Sequence, residues 1–447
     1  MKVHRNCCGL DVHKQTIAAC LIREDGMGNT CKEKRLFGTM TRDLRELAQW
    51  LRGAEVSAVA MEATGVYWVP VWNVLEREGL HLLLINPEHY KAVRGKKTDL
   101  KDGERIAELL QDGRLEGSFV PSTPLRILRD LTRYRVKLVE HQSAVACRIQ
   151  KLLEQCNIKL ASVASNVLGV SGTAMLQALA RGETNPERLA ELAKKQLRKK
   201  IPALRLALDG HLLPHHRFLL RDMLDELAHI EGQLARLEAE IERNMPPFQK
   251  TLQAWMSIPG IKQRVAWTLV AEIGPDMQVF PSPAHIASWV GVCPGNNESA
   301  GKRKSGKTRK GNCWARRALC EAAWVAAKAK KTYLAAQFRR LAATRGSKRA
   351  IIAVAHTILT IGYHILQRGT LYQELGANYF DQRHVLRTTK RLVKRLQALG
   401  HRVILESPLP NTTHRMIIFK GGDCTSLRFS FAFFRVDECN GDFCAPG

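Results

Sequence analysis

Apolar residues dominate the chain from Cys7 to Ile22, and an aspartate stands inside their first stretch, in Gly9-Leu10-Asp11-Val12-His13-Lys14. The run, with Lys34 to Met40 after it, predicts a strand pair. Thr41 to Leu51 has helical spacing with Thr41 as N-cap. Val56 to Met61 is a short apolar strand, Val69 to Glu78 a helix, Leu80 to Ile85 a strand and Leu100 to Leu110 a helix. Strands first, then strands alternating with helices, predict a mixed sheet flanked by helices over residues 1 to about 120.

From Ser122 to about Met245 the pattern is helical throughout. Leu220, Met223, Leu227, Ile230, Leu234, Leu237 and Ile241 alternate steps of three and four, an a/d seam over three heptads. Such a seam serves a dimerising or an intramolecular antiparallel coil, or a long helix packed on its own domain. Arg126, Arg129, Arg133 and Lys137 fall on one stripe of the preceding helix; a solvated face and a nucleic-acid contact fit that stripe equally. Ser257 to about Arg345 reads as a second, basic and helical unit. His384 to Leu399 is one more basic helix and His401 to Glu406 a short strand. The tail after Pro408 has no periodicity. The chain therefore divides into 1–120, a helical linker 121–250 with its coil at 220–241, a helical unit 251–380, and a basic helix with unassigned tail, 381–447.

Charge changes this picture. Lys and Arg outnumber Asp and Glu by 69 to 42, giving a net charge of +27. Such an excess favours a polyanion, because neutralised phosphates release counterions; a membrane surface has little support beyond charge. No secretory signal is expected, since Asp11, His13 and Lys14 break the first apolar segment. The uncharged stretch Leu160 to Ala180 is rich in Ser, Asn, Gly and Thr and reads as buried or loop-broken. The 12 cysteines show no CxxC or zinc spacing. Reduced thiols in a cytoplasmic protein follow.

An aspartate inside a strand costs desolvation unless something compensates it, and a divalent cation is one compensator. Glu62 ends the strand Val56 to Met61. Asp99 and Asp102, in KKTDLKDGERIAELL, share one face at the start of a helix. Two strand-end acids and two helix acids suit hard Mg²⁺ or Mn²⁺, and two such ions would clamp the attacking and leaving oxygens of a phosphodiester. Singly, each acid has a plainer role: Asp99 an N-cap, Asp102 a helix-dipole partner, Glu62 a loop residue.

WMSIPGIKQRVAWTLVAEIG reads as a helix-hairpin-helix turning at Pro259-Gly260-Ile261, whose backbone N–H groups would face phosphates. After it, Pro294 to Gly301 is a loop, followed by Lys302, Arg303, Lys304, Lys307, Arg309 and Lys310. A loop this basic holds phosphates. Its serines, Ser299 and Ser305, become nucleophiles only if activated, so chemistry alone favours a phosphate loop without a nucleophile.

The stretches GLDVHK, MEATGVYW and KTDLKDGERIAELL resemble the Asp-Glu-Asp-Asp motifs of the DEDD-type ("one-ten") insertion-sequence transposases, described as bridge-RNA-guided recombinases of bacterial mobile elements. NPEHYKAVRGKKTD and GVSGTAMLQALARGETNPERLAELA resemble the same family, so the likeness covers residues 5 to about 405. It implies an α/β RNase H-like (RuvC-like) domain at the N-terminus, then the helical linker and a mostly α-helical C-terminal transposase domain. It implies Asp11, Glu62, Asp99 and Asp102 as the Mg²⁺-binding set and, from ESAGK, Ser299 as the DNA-linking nucleophile, with Ser305 in KSGK the runner-up. The expected protein is a site-specific transposase, cytoplasmic and nucleoid-associated when acting. Its partners would be DNA, a non-coding guide RNA held partly by Arg126, Arg129, Arg133 and Lys137, and further copies of itself. The rivals are a RuvC-like nuclease acting without a covalent intermediate and a decayed DNA-binding product.

Overall fold

The computed structural model describes residues 3–24, 29–63, 65–86, 99–294, 297–299, 302–305, 307–308, 310–383, 385–405 and 418–419, with the backbone alone at 99–101, 297–299, 302–305, 387 and 418–419. The chain forms two compact units, Met1–Ala322 with Ala355–Tyr372, and Ala323–Val354 with Gln373–Gly447.

The first unit opens with a five-stranded sheet of β1 (Cys7–Val12), β2 (Thr16–Glu24), β3 (Thr30–Gly38), β4 (Ala58–Glu62) and β5 (His81–Ile85), in the order β3-β2-β1-β4-β5. β1 is antiparallel to β2 and parallel to β4, and β4 is parallel to β5. The apolar run from Cys7 to Ile22 is therefore two strands. The chain reverses at His13–Gln15, where the His13 N–H donates to the Thr16 carbonyl at 2.9 Å. β3 starts at Thr30, earlier than the apolar pattern suggests, because it is the edge strand and carries Lys32, Lys34 and Arg35 toward solvent.

Central β1 is buried along its whole length because both faces are covered. On one face Cys8, Leu10, Ile17, Leu21, Val59 and Met61 pack against α1 (Thr41–Gly53) and α2 (Trp68–Leu75). On the other, Cys7, Cys20, Ile22, Ala58, Ala60 and Ile85 meet Ile106, Ala107 and Leu110 of α3 (Asp99–Gln111). Thr41 is the first helical residue of α1, not its cap. Met40 holds the cap position, and its N–H donates to Asp43 Oδ2 at 3.2 Å.

The long helices α4 (Thr123–Gln155) and α5 (Pro214–Asn244) run antiparallel, as the Arg135–Glu238 and Arg148–Glu226 pairs require. The heptad seam lies between them. Leu220, Leu227 and Ile230 are buried with Leu138, Val145, Ile149 and Leu152, and Met223, Leu234 and Leu237 pack on the same core. That seam is occupied within the chain. The uncharged stretch from Leu160 resolves into two helices, Leu160–Val163 and Val170–Arg181, broken between them.

Next come α6 (Gln249–Met256), α7 (Gln263–Ile273) and α8 (Pro283–Val290). Gly260 turns the chain between α6 and α7 with φ +96°, a left-handed conformation that glycine adopts without steric cost. A hairpin of β6 (Asn297–Ser299) and β7 (Lys302–Ser305) precedes α9 (Cys313–Lys328). Among the described residues one helix, Ser347–Arg368, is long and apolar enough to cross a membrane. Its Val354, Ile358 and Leu359 are fully buried in the protein, as in a core helix.

In the second unit, Tyr333 stacks on Phe380 at 5.1 Å, and the basic helix Val385–Ala398 leads to a two-residue strand, Arg402–Val403, paired with Ile418–Phe419.

Candidate functional site

The acids converge at the carboxyl ends of the parallel strands. Leu10 pairs with Met61, so the next residues along, Asp11 and Glu62, lie side by side on β1 and β4. Both keep the parity of Gly9 and Ala60, which places them on the face covered by α3. Asp102 stands on α3 itself, and its carboxylate raises the proton affinity of Asp11, as that of Glu62 does. The side chain of Asp99, the first residue of α3, lies outside the described residues.

Two glycines set how near α3 comes. A Cβ on Gly9 would lie 2.3 Å from the Gly103 carbonyl oxygen and 2.4 Å from the Ala107 nitrogen. A Cβ on Gly103 would lie 2.9 Å from the carbonyl oxygen of Ala18, which is the strand partner of Asp11. Helix and sheet touch backbone to backbone, which brings Asp102 near enough for its charge to act on Asp11.

Asp11 is 5% exposed. Burial pushes its carboxyl above the usual aspartate range. His13 opposes the shift by its charge and by a 3.1 Å contact from Nε2 to Oδ2, and Glu62 and Asp102 add to it. A buried carboxylate crowded by two others and relieved by one half-exposed imidazole is the electrostatic setting a divalent cation relieves. Among the described residues, no three His, Cys, Asp or Glu side chains are already closed into a metal-binding group.

The serines occupy the β6–β7 hairpin. Ser299 pairs with Lys302 at its tip, and Ser305 pairs with Asn297 nearer its base. The side chains of Ser299, Lys302, Arg303, Lys304 and Ser305, and all of Arg309, lie outside the described residues; Lys307 and Lys310 are exposed. Pro294 bridges to Thr308 and closes the base.

The three arginines of the basic stripe of α4 face protein. Arg126 Nη2 lies 2.6 Å from Glu76 Oε2, Arg133 grips Glu272, and Lys137 Nζ lies 2.9 Å from Glu140. Arg129 donates to the Ala271 carbonyl at 2.9 Å and lies over the Phe119 ring. Arg126, Arg129 and Arg133 are thus engaged within the protein, whereas the Lys137 side chain is 63% exposed and pairs with Glu140 of its own helix. Sequence reasoning passed over His13, the Gly9–Gly103 approach and Glu272. Glu272 had one signal, a lone acid in the apolar text TLVAEIG.

Residues 8–158 match the DEDD transposase family of IS110 elements, described as "Transposase", and residues 252–339 match the "Transposase IS116/IS110/IS902 family". A probable family 20 transposase of Pseudomonas aeruginosa is 26% identical over 322 residues, 70% of this chain and 85% of its own length. The transposase for insertion sequence element IS1111A of Coxiella burnetii is 22% identical over 372 residues, 82% of this chain and 90% of its own. An acid-bearing sheet and a basic helical half, each matched by a transposase family, define a DNA-cleaving and DNA-transferring enzyme. The chain belongs to the IS110 family of insertion-sequence transposases.

Proposed function

We propose that the protein is a site-specific recombinase of a bacterial mobile element, acting in the cytoplasm through a composite site: a RuvC-like acid cluster and a nucleophilic serine on the β6–β7 hairpin. The observation that carries this reading is the convergence of Asp11 and Glu62 with Asp102 on one face at the ends of β1 and β4. Asp11, Glu62 and Asp102, with Asp99 one helical turn before Asp102, would hold Mg²⁺ or Mn²⁺. Their all-oxygen donor set and the burial of Asp11 beside two further carboxylates, only partly offset by His13, fit such an ion. When bound, the ion polarises a phosphoryl oxygen and offsets developing negative charge.

The chain's own groups do the rest. Ser299 Oγ forms a bond to the scissile phosphorus as one bridging P–O bond breaks. The hydroxyl proton ends on the released strand-end oxygen. A phosphodiester is exchanged for a phosphodiester, so the reverse step onto a new strand end rejoins DNA without another energy source. The cations Lys302, Arg303, Lys304, Lys307, Arg309 and Lys310 would stabilise the pentavalent phosphorane. The turn at Gly260, read as a helix-hairpin-helix, would seat flanking phosphates on backbone N–H groups. A non-coding RNA from the element would choose the target, and the net charge of +27 suits two polyanions. Several copies of the chain would act together.

The test uses protein, Mg²⁺ and DNA spanning the element junction, with and without the flanking non-coding RNA. Covalent protein–DNA adduct is read on a denaturing gel. An RNA-dependent adduct is expected from wild type and Ser305→Ala and none from Ser299→Ala or Asp11→Ala. Cleavage without adduct, unaffected by either serine change, would instead make the protein a metal-dependent nuclease.

A further inference from the structure

Two acids are buried among the described residues, Asp11 and Glu272, and the second lies in the other half of the unit. Glu272, on α7, is 0% exposed. Arg133 holds it with a two-pronged grip, Nε to Oε1 at 2.7 Å and Nη2 to Oε2 at 2.8 Å. Asn312 Nδ2 donates to Oε2 at 2.7 Å. Arg129 Nε stands 3.5 Å from the same oxygen.

Each partner leads elsewhere. Asn312 Oδ1 accepts from the N–H groups of Trp314 at 3.1 Å and Ala315 at 3.0 Å, so the residue caps α9. Its own N–H donates to the Trp289 carbonyl at 3.0 Å. Its neighbour Gly311 lies so close to Trp289–Gly291 that a Cβ there would meet the Trp289 oxygen at 2.6 Å. Residues 289–294 on one side, and Thr308 with residues 310–312 on the other, are the two feet of the serine hairpin. In the other direction Arg129 covers Phe119, whose ring meets Phe280 and Trp289 at 5.8 and 6.2 Å. The residue before it, Ser118, donates its N–H to the Leu84 carbonyl of β5 at 2.6 Å. One buried carboxylate is thus tied to the hairpin's feet and to the edge of the sheet that carries Glu62.

We propose that Glu272 is a positioning residue: through Asn312, Arg129 and Arg133 it fixes the serine hairpin relative to the acid-bearing sheet, and the cleavage rate depends on it while DNA affinity does not. The inference rests on the composite-site reading. An apolar group of the same volume would serve stability as well as a buried ion pair. What the polar set adds is a single geometry, because Asn312 must donate on one side and accept on the other. Misplacement of a reacting group by about 1 Å costs on the order of a hundredfold in rate.

The test swaps amide and carboxylate. Glu272→Gln, Asn312→Asp and the double variant are compared with wild type for the rate of strand cleavage, junction-DNA Kd and Tm. Asn312→Ser keeps the helix cap but is too short to reach Glu272, so it tests the link even if a charge change unfolds the chain. Each single variant is expected to lose about tenfold or more in rate with Kd within twofold. The double variant is expected to cleave faster than either single variant without regaining the wild-type rate: the amide introduced on α7 donates to the carboxylate introduced at the cap of α9, but it takes the place of Oε2, which accepts from Arg133 Nη2. Unchanged rates in folded single variants overturn the proposal. So does rate, Kd and Tm falling together without recovery in the double variant. Ser299→Ala runs in parallel. Adduct surviving it sinks the nucleophile assignment alone, since the swap is read on strand cleavage. Normal rates in the Glu272 and Asn312 variants, with Ser299→Ala inactive, sink the positioning role alone.

Discussion

Gly103 of α3 lies over Ala18 of β2 at a distance that leaves no room for a side chain: a methyl on it would approach the Ala18 carbonyl oxygen to 2.9 Å. Ala18 pairs with Asp11 and Gly103 follows Asp102, so this backbone contact sets the spacing of two acids. Gly103→Val should push α3 away, cost about 1–3 kcal/mol of stability, and abolish strand cleavage in protein that is still folded at assay temperature. Circular dichroism melting beside a cleavage assay checks both. Normal cleavage by a folded Gly103→Val protein would mean that Asp102 needs no fixed distance from Asp11.

Asp11→Asn removes a charge that folding buries against Glu62 and Asp102. Without added metal the variant should melt no lower than wild type. Wild type should rise in Tm when Mg²⁺ or Mn²⁺ is added, and the variant should not, while its cleavage falls by about a hundredfold or more. An equal Tm rise in both proteins would place the cation elsewhere.

Much of this edge was legible because its signals are local. A charged residue inside an apolar strand, a strand ending in Glu62 and a helix opening with Asp99 and Asp102 are each visible in a few residues. The hairpin at His13–Gln15 was missed because its polar text is only three residues long and holds no glycine, proline or asparagine to mark a turn. The stripe Arg126 to Lys137 is ambiguous in the sequence for a different reason. Helical spacing reports that cations share a face and not what the face meets, and Glu76 and Glu272, which take Arg126 and Arg133, are about 50 and 139 residues away in sequence. Glu272 carries one mark, a lone acid in apolar text, and Asn312 carries none until the fold brings the two together.

The pair Glu76–Arg126 ties the end of α2 to the first turn of α4. The Arg126 hydrogen bond holds the Glu76 carboxyl below its usual value of 4.5 against the opposing effect of burial. A depressed carboxyl contributes stability that is present above the usual value and is lost as pH falls through the folded one. Glu76→Gln should therefore melt below wild type at pH 7, and the gap should close below pH 4.5. The pair is partly exposed, so after solvent screening its worth is at most about 1 kcal/mol. Melting curves at matched ionic strength across this range decide it. A gap that persists in acid would assign the effect to packing of the Arg126 stem.

The last prediction concerns the heptad seam, whose spacing fits a partner from another chain as well as one from its own. Here the partner is α4: Leu227 is 7% exposed and lies in one core with Val145 and Ile149. If α4 is its partner in solution, Leu227→Ala costs about 2–5 kcal/mol, because a cavity opens inside one chain. Leu234, only partly buried on the same core, should cost less when changed in the same way. The losses should be independent of protein concentration, and light scattering should give the same mass for variant and wild type. Were the seam an intermolecular coil, dissociation would be coupled to unfolding, Tm would rise with concentration, and the variant would run as a smaller species. Urea melts at two concentrations a hundredfold apart separate the cases. A concentration-dependent midpoint would return the seam to subunit assembly, and an invariant one leaves association to surfaces other than this seam.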